Sequence, residues 1–212
     1  MTDAPQLQVQ GLRVRFRTPH RMVDAVRGVS FTVGREKIGI VGESGSGKST
    51  IGRAILRLNP PNATMTAERL QFQEFDIARA RERDMLKLRG RRISMIMQDP
   101  KYSLDPVMRV GEQIAEAIPG DLRLSQAERR DRVLAMLEAV HIRNPRRVYD
   151  LYPHEVSGGM GQRIMIAMML LPEPALLIAD EPTSALDVTV RMHVLAILDD
   201  MVTSRGLGLI FI

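Results

Sequence analysis

Near the start of the chain, apolar and polar residues alternate with the two-residue period of a β-strand. The apolar positions are Leu7, Val9, Leu12, Val14 and Phe16, with an interruption at Gly11. Two further short strands are predicted at 23–26 and 29–33, where valines recur. Since consecutive strands tend to lie side by side, these segments predict an antiparallel sheet at the N-terminus.

Compact apolar runs later in the chain predict a second set of strands. The runs lie at 37–41, 93–97, 175–179 and 207–212, with an edge strand at 70–72. The run at 37–41 ends in a glycine-rich turn, and its composition is typical of a strand that is buried on both faces. Because parallel strands are usually covered by helices, most of these runs belong in a parallel sheet.

Helical periodicity separates these strands. Helices are predicted at 49–58, 159–170 and 188–204, and the pattern is helical from about 110 onwards. Ser125 followed by Glu128 forms a capping box at the start of another helix. We therefore predict an α/β domain over residues 1–212. It contains a mainly parallel sheet, the N-terminal antiparallel β subdomain and a helical insert subdomain at about 99–158.

The composition is that of one globular domain, with 212 residues, 44% hydrophobic and 26% charged. The absence of cysteine excludes disulfides, zinc fingers and iron–sulfur clusters. No apolar run reaches the ~18–20 residues that span a bilayer, and the N-terminus does not resemble a signal peptide. We therefore expect any link to a membrane to come through a partner.

A net charge of +5 raises the question of nucleic acid. Much of the positive charge lies at 79–83 and 87–92, and the first of these runs alternates with acidic residues, as on a solvated helix face. Aromatic residues make up only 4% of the chain, which leaves few platforms on which single-stranded bases could stack. No nucleic-acid partner is expected.

A phosphate-binding loop follows the strand predicted at 37–41. The motif G-x-x-x-x-G-K-[ST] is matched by Gly42, Glu43, Ser44, Gly45, Ser46, Gly47, Lys48 and Ser49, and Thr50 continues into the helix. Glycines let the backbone approach phosphate oxygens, and the loop and helix N–H groups form an anion cradle. The motif predicts a P-loop NTPase core that binds a nucleoside triphosphate, with Lys48 directed at the β- and γ-phosphates and Ser49 at Mg²⁺.

Two acids end the apolar strand predicted at 175–179. Asp180 and Glu181 follow it directly. An NTPase needs one carboxylate to hold Mg²⁺ and another to position or polarise the attacking water. We assign the first role to Asp180 and the second, catalytic role to Glu181, with Lys48 as its catalytic partner.

A second glycine-rich helix start carries a family resemblance. The segment 156–163, V-S-G-G-M-G-Q-R, resembles the signature motif of ABC-type ATPases and places Ser157, Gly158 and Gly159 at a helix N-terminus. The resemblance extends to three other positions. It implies that Gln98 senses Mg²⁺ and water, that Asp187 lies in the loop beside the nucleotide, and that Phe16 contacts adenine. Phe16 is equally well interpreted as a core strand residue.

Within that family, the chain is most similar to the ATPases of peptide importers and, in some cases, nickel importers. The stretch 98–108 and Met160 carry this similarity. It implies a second ATPase subunit, transmembrane permease subunits and, indirectly, an external solute-binding protein. The chain is then expected at the cytoplasmic face of the inner membrane, with exposed apolar residues near Tyr102, Ser103 and Leu104 against the permease.

Two other classes of function stay open at this point. One is an ABC-type ATPase acting on nucleic acid or ribosomes. Against it, the interval from Gly42 to Ser157 is too short for a long coiled coil, and the chain has no cysteine for zinc modules. The other is a nucleotide-dependent module without turnover. Relatives continue from the strand at 207–212 to a switch histidine, so the domain is expected to be incomplete at its C-terminus.

Overall fold

A computed structural model describes residues 5–97, 103–184 and 186–212 of the chain. The strands are β1 (Leu7–Arg17), β2 (Met22–Val33), β3 (Lys37–Gly39), β4 (Ala63–Thr66), β5 (Arg69–Phe72), β6 (Phe75–Asp76), β7 (Ile93–Ile96), β8 (Leu176–Ala179) and β9 (Gly208–Phe211). The helices are α1 (Lys48–Ile55), α2 (Glu82–Leu88), α3 (Val110–Glu116), α4 (Gln126–Ala139), α5 (Pro145–Tyr149), α6 (Gly158–Leu170) and α7 (Val188–Arg205). The α/β prediction is confirmed.

The N-terminal strands form the predicted antiparallel sheet, in the order β2-β1-β5-β6, with β4 also paired to β1. The segments predicted at 23–26 and 29–33 are one strand, β2, because β1 pairs along its whole length. The interruption at Gly11 is a register shift between Val9 and Leu12. Gly11 has φ +60°, and its N–H donates to the Ser30 hydroxyl at 2.9 Å, so the bulge is hydrogen-bonded. The strand predicted at the edge, β5, lies between β1 and β6.

The remaining strands form a parallel sheet in the order β3-β9-β8-β7. The prediction that the run at 37–41 is buried on both faces is wrong. β3 is an edge strand among those described, Lys37 and Gly39 are exposed, and Val41 is 96% exposed. An apolar run shows that a segment suits a strand, whereas its burial depends on where the sheet order places it.

Alternating side chains of the parallel sheet face two separate cores. Leu177, Ala179 and Leu209 pack with the helices α3–α7. Leu176, Ile178 and Ile210 pack with α1 and the antiparallel sheet. The parallel sheet is therefore the middle layer of the molecule, with α1 on one face and α6 and α7 on the other.

The part of the insert that the structure describes is helical, as predicted. Between β7 and α6 lie α3, α4, α5 and a 3₁₀ turn at Pro153–Glu155. The capping box of α4 is confirmed, with Ser125 and Glu128 exchanging hydrogen bonds. These helices share the core of α6, α7 and one face of the parallel sheet. The subdomain boundaries at 99 and 158 stay a prediction.

Among the helices with predicted boundaries, α1 differs most from its prediction. The helix predicted at 49–58 ends at Ile55 because Arg57 has φ +53° and the Leu58 N–H turns back to the Arg53 carbonyl at 2.8 Å.

None of the helices in the described ranges combines the length and the hydropathy of a membrane span.

Candidate functional site

The phosphate loop connects β3 to α1, and two of its glycines adopt conformations that other residues avoid. Gly45 has φ +78° and Gly47 has φ +98°. A Cβ atom on Gly47 would lie 2.4 Å from the Ala25 carbonyl oxygen of β2. Gly47 is therefore required both by its left-handed backbone and by its contact with the antiparallel sheet.

Helix α1 lies close against the parallel sheet because Gly52 has no side chain. A Cβ atom there would lie 3.1 Å from Ile178 and 3.2 Å from Ile212. The helix N-terminus faces the carboxyl ends of the strands, and residues 42–46 before it are exposed. The N–H groups of a first helical turn have no intrahelical acceptor, so this end of α1 suits an anion.

The Lys48 ammonium lies across the loop. Its Nζ donates to the Gly42 and Glu43 carbonyl oxygens, each at 2.8 Å. These are neutral acceptors, so an anion in the loop would compete for the same ammonium with a full charge. The side chain thus brings a positive charge to the inside of the loop.

Ser49 and Asp180 meet although they are far apart in sequence. The Ser49 hydroxyl donates to Asp180 Oδ1 at 2.7 Å. Asp180 follows β8, its N–H is bonded to the Ile96 carbonyl at 2.9 Å, and it is 2% exposed. A hydroxyl beside a buried carboxylate offers the oxygen ligands that Mg²⁺ prefers. The two predicted metal ligands in the described chain therefore lie together.

Glu181, the next residue, has the backbone φ +45° that is rare for a residue with a side chain. Its N–H donates to the Ile212 carbonyl at 3.1 Å, and its own carbonyl accepts from the Ser184 N–H and hydroxyl, each at 3.2 Å. Such strain costs about 1–3 kcal/mol and is often found at functional sites. The tertiary structure thus fixes the direction in which Glu181 leaves the strand.

The signature motif forms the start of α6. Ser157 is the N-cap, and its hydroxyl accepts from the Met160 N–H at 3.3 Å. A Cβ atom on Gly159 would lie 2.5 Å from Val190 of α7, whereas one on Gly158 would meet only Leu186, at 3.9 Å. Gly159 is thus required by packing, and Gly158 stays open to solvent.

Asp187 caps the neighbouring helix α7, with Oδ1 accepting from the Val190 N–H at 3.0 Å. Because Gly159 of α6 packs on Val190 of α7, the starts of α6 and α7 lie side by side. Both helices cover the face of the parallel sheet opposite α1. Among the described residues, no hydrogen bond or ion pair joins the loop 42–49 to 157–159. One chain thus presents two separate glycine-rich helix starts.

The other predicted site residues are less directly placed. Phe16 is half-buried on β1 and packs against the core of the antiparallel sheet, which fits the core interpretation and leaves the adenine contact a prediction. Thr50 lies in the first turn of α1. Gln98 lies outside the described residues, as does Ala185 in the loop before Asp187.

Two residues that pack against the motif glycines were not predicted from the sequence. Ala25 limits the space at Gly47, and Val190 limits the space at Gly159. Neither belongs to a motif, and no local pattern marks them. In the described part of the chain, no group of three or more His, Cys, Asp or Glu residues forms a metal cluster.

Comparison with known proteins assigns the chain to a family. The family model described as ABC transporter matches residues 26–184. A dipeptide transport ATP-binding protein of Bacillus subtilis (strain 168) is 44% identical over 208 residues, which cover 97% of this chain and 62% of that protein. An oligopeptide transport ATP-binding protein of Salmonella typhimurium (strain LT2) is 45% identical over 217 residues, which cover 100% and 64%.

The chain thus spans a little under two thirds of the length of these relatives. Among solved structures, the ATP-binding cassette MJ0796 bound to ADP and Pi superimposes with a TM-score of 0.84. The match covers 97% of this chain and 86% of that chain at 24% identity, so it supports the fold. With the matched segment containing the phosphate loop, the signature motif and the acidic strand end, the chain belongs to the ABC transporter family.

Proposed function

We propose that this chain binds and hydrolyses ATP as the ATP-binding subunit of an ABC importer. The observation that carries the proposal is the 2.7 Å hydrogen bond from Ser49 to Asp180. It joins the phosphate loop to the acidic end of β8, two motifs that lie far apart in sequence. Nucleoside triphosphatases of this class need both parts at one point.

ATP binding is assigned to residues 42–50. The loop amides and the start of α1 surround the phosphates, and Lys48 moves from the Gly42 and Glu43 carbonyls to the β- and γ-phosphate oxygens. Ser49 and Asp180 would hold Mg²⁺, with Gln98 as the third predicted contact. The ion, when bound, neutralises charge on the β- and γ-phosphates.

Glu181 is proposed as the residue that orients and deprotonates the attacking water. The water oxygen forms a bond to the γ-phosphorus, and the bond from that phosphorus to the β–γ bridging oxygen breaks. The water proton passes to Glu181, and the leaving oxygen stays on ADP. The left-handed backbone at Glu181 supports this role because it turns the chain sharply at the strand end.

A second ATPase subunit is proposed to complete the site. The starts of α1 and α6 lie on opposite faces of the parallel sheet, so the signature motif of another subunit is better placed to reach the γ-phosphate. Ser157, Gly158, Gly159 and Asp187 are assigned to that contact. ATP binding then closes two subunits together, and hydrolysis separates them.

The cargo is proposed from the relatives. Both are named for transport of dipeptides or oligopeptides, which favours a peptide or related small solute over nickel. Cargo crosses through transmembrane permease subunits and is delivered by an external solute-binding protein. The chain itself is assigned to the cytoplasmic face of the membrane.

The permease contact is proposed beside the segment 98–108. Of the residues expected near this contact, Leu104 is 5% exposed and packs into the helical core, so its side chain does not form an exposed apolar surface. Among the described residues 103–108, Val107 is an exposed apolar residue, at 82%. Tyr102 lies outside the described residues.

The test is Mg-ATP binding and hydrolysis with Lys48→Ala. Removing the ammonium takes away a charge-assisted contact to phosphate, so we expect affinity to fall at least about tenfold, or ~1.4 kcal/mol. Isothermal titration calorimetry and phosphate release measure the two steps. Lys87→Ala on α2, which removes an exposed lysine away from the loop, is the matched control and should leave both unchanged.

Each result has a defined meaning. Lys48-dependent binding with turnover supports the whole proposal. Lys48-dependent binding without turnover retains the ATP site and favours the nucleotide-dependent module for this chain. The proposal is wrong if a folded chain does not bind Mg-ATP.

A further inference from the structure

The first turn of α3, residues 109–113, contacts two segments that the nucleotide site does not use. One is the loop 105–108, which leads into the helix. The other is the strap, defined here as residues 149–156, which leads to the signature motif. Both segments are described by the structure, and each is held by a different set of contacts.

Gln113 holds the loop. Its side chain is buried, with 5% exposure, and makes three hydrogen bonds to backbone. Oε1 accepts from the Asp105 N–H at 2.8 Å, and Nε2 donates to the Asp105 carbonyl at 2.9 Å and to the Met108 carbonyl at 2.7 Å. Because a buried amide that loses its partners is costly, these hydrogen bonds hold the loop against the first turn of α3.

Gly111 and Val110 hold the strap. The Val110 N–H donates to the Leu151 carbonyl at 2.8 Å. A Cβ atom on Gly111 would lie 2.2 Å from the Tyr149 ring, so the ring lies directly on the α3 backbone. The Arg130 guanidinium, from α4, lies 4.3 Å from the Tyr149 ring centroid. Tyr149 is thus confined by α3 and α4.

Ring contacts and a hydrogen bond hold the rest of the strap up to the signature motif. The Arg109 guanidinium lies 5.9 Å from the Tyr152 ring centroid, and that ring stacks on His154 with centroids 5.7 Å apart. The Tyr152 N–H donates to Glu155 at 2.8 Å, which closes the 3₁₀ turn. Val156 then leads directly to Ser157, the N-cap of α6.

A cavity of about 530 Å³ lies between the two segments. Leu104 and Pro106 line it from the loop side. Pro153, His154 and Val156 line it from the strap, and the start of α6 completes the wall. Both walls are therefore fixed to the same helical turn, and one of them includes the signature motif.

We propose that the first turn of α3, through Gln113 and Gly111, is a positioning element that sets the orientation of the signature motif. It joins the loop 105–108 to the strap, so a displacement of the loop moves Ser157 and the start of α6. Close-packed contacts and satisfied buried hydrogen bonds transmit such a displacement instead of absorbing it. The functional meaning of this link rests on the proposed role of the signature motif in ATP hydrolysis.

The first test is hydrogen–deuterium exchange of the nucleotide-free chain with Gln113→Met, which keeps the volume and removes the three hydrogen bonds. We expect exchange at Met160 and Gly161, whose N–H groups bond to Ser157, to accelerate at least about tenfold. Exchange at 47–55 stays unchanged because α1 packs in the other core. The matched control is Gln71→Met in β5, whose side chain also bonds to backbone.

A second test uses Gly111→Ala, in which the new methyl group displaces the Tyr149 ring. The same acceleration at Met160 and Gly161 is expected, and the double variant Gly111→Ala with Tyr149→Leu should restore protection. If Gln113→Met does not fold, the comparison of Gly111→Ala with the double variant tests the positioning role in its place. Acceleration confined to 103–118, or spread evenly over the chain, overturns the proposal.

The exchange result is independent of the proposed function, because no nucleotide is present. With Mg-ATP added, we expect unchanged affinity in the Gln113 and Gly111 variants and reduced turnover. If the unmodified chain did not bind ATP, the proposed function would fail while the mechanical link could still be seen by exchange. When the unmodified chain hydrolyses ATP, a turnover in these variants equal to that of the Gln71→Met control overturns the positioning role.

Discussion

At the scale of single residues, the candidate site depends on contacts between positions that are distant in sequence. Gly47 fits because the Ala25 carbonyl leaves no room for a side chain. Ser49 lies against Asp180, and the Glu181 backbone is bonded to Ile212. The motif residues thus have structural roles besides their proposed chemistry, and a substitution at the site affects both stability and ligand binding.

Ser49→Ala tests this double role. Asp180 is buried and loses a hydrogen-bond donor, so we expect the free energy of unfolding to fall by about 1–3 kcal/mol. The proposed Mg²⁺ site loses an oxygen ligand as well. ATP affinity measured with Mg²⁺ should therefore fall towards the value measured with EDTA. Urea unfolding and calorimetric titration give the two quantities.

Ser49→Thr is the matched control, because it keeps the hydroxyl. It should retain most of the stability and the Mg²⁺-dependent part of ATP affinity. If Ser49→Ala kept a full Mg²⁺ effect, Ser49 would not be a metal ligand.

At the scale of elements, arginines lie at the carbonyl ends of several helices. Arg89 donates to the Leu56 carbonyl after α1 at 2.7 Å, Arg129 to Ala115 of α3 at 2.7 Å, and Arg205 to Leu170 of α6 at 3.0 Å. The last carbonyls of a helix lack intrahelical donors and carry partial negative charge. Part of the basic excess is therefore explained by helix capping within the fold.

The capping box of α4 makes the helix sensitive to acid. Hydrogen bonds from the Ser125 hydroxyl and then from the Ser125 N–H lower the pKa of Glu128. A lowered pKa means that the ionised carboxylate contributes stability above its unfolded pKa of about 4.3. That contribution is lost as the pH falls through the lower pKa of the folded state.

Glu128→Gln tests this pH dependence, since glutamine can also form a capping box. We expect the wild-type chain to lose melting temperature more steeply than Glu128→Gln between about pH 5 and pH 3. The two curves should run parallel above about pH 6. Equal slopes at acid pH would show that Glu128 is not the titrating group.

At the scale of the whole molecule, the parallel sheet separates the two glycine-rich helix starts. α1 packs in one core and α6 in the other. Our proposal that two subunits share the ATP site is based on this separation of the two helix starts. The start of α6 is open to such a partner, since Gly158 is exposed.

Gly158→Asp tests the shared site. A Cβ atom at this position meets only Leu186 at 3.9 Å, and a carboxylate is favourable at a helix N-terminus, so the fold should persist. The same charge repels the γ-phosphate of ATP bound to another subunit. We expect Mg-ATP binding to each chain to stay, and ATP-dependent dimerisation in analytical ultracentrifugation to disappear.

Gly158→Ala adds volume without charge and should still dimerise with ATP. If Gly158→Asp dimerised like the wild type, the signature motif would not face the phosphate of a second subunit. Loss of ATP binding in the monomeric variant would instead place Gly158 at the site of its own chain.

Much of the architecture could be predicted from the sequence. The two-residue alternation predicted the antiparallel sheet, the compact apolar runs located β7, β8 and β9, and Ser125 with Glu128 predicted the start of α4. These signals are local, because each depends on neighbouring residues in one strand or turn. Short elements such as β4 and β6 were not predicted, since they are held by pairing with β1 and β5 and have weak patterns of their own.

The chemical groups of the phosphate loop, the signature motif and the acidic strand end can be recognised from the order of residues alone. The folded chain was needed to show that β3 is at an edge of the described sheet, that Ser49 meets Asp180, and that the two helix starts lie on opposite faces. This division arises because a motif depends on residue type at fixed spacing. Adjacency between distant segments depends on strand order and on the packing of both cores.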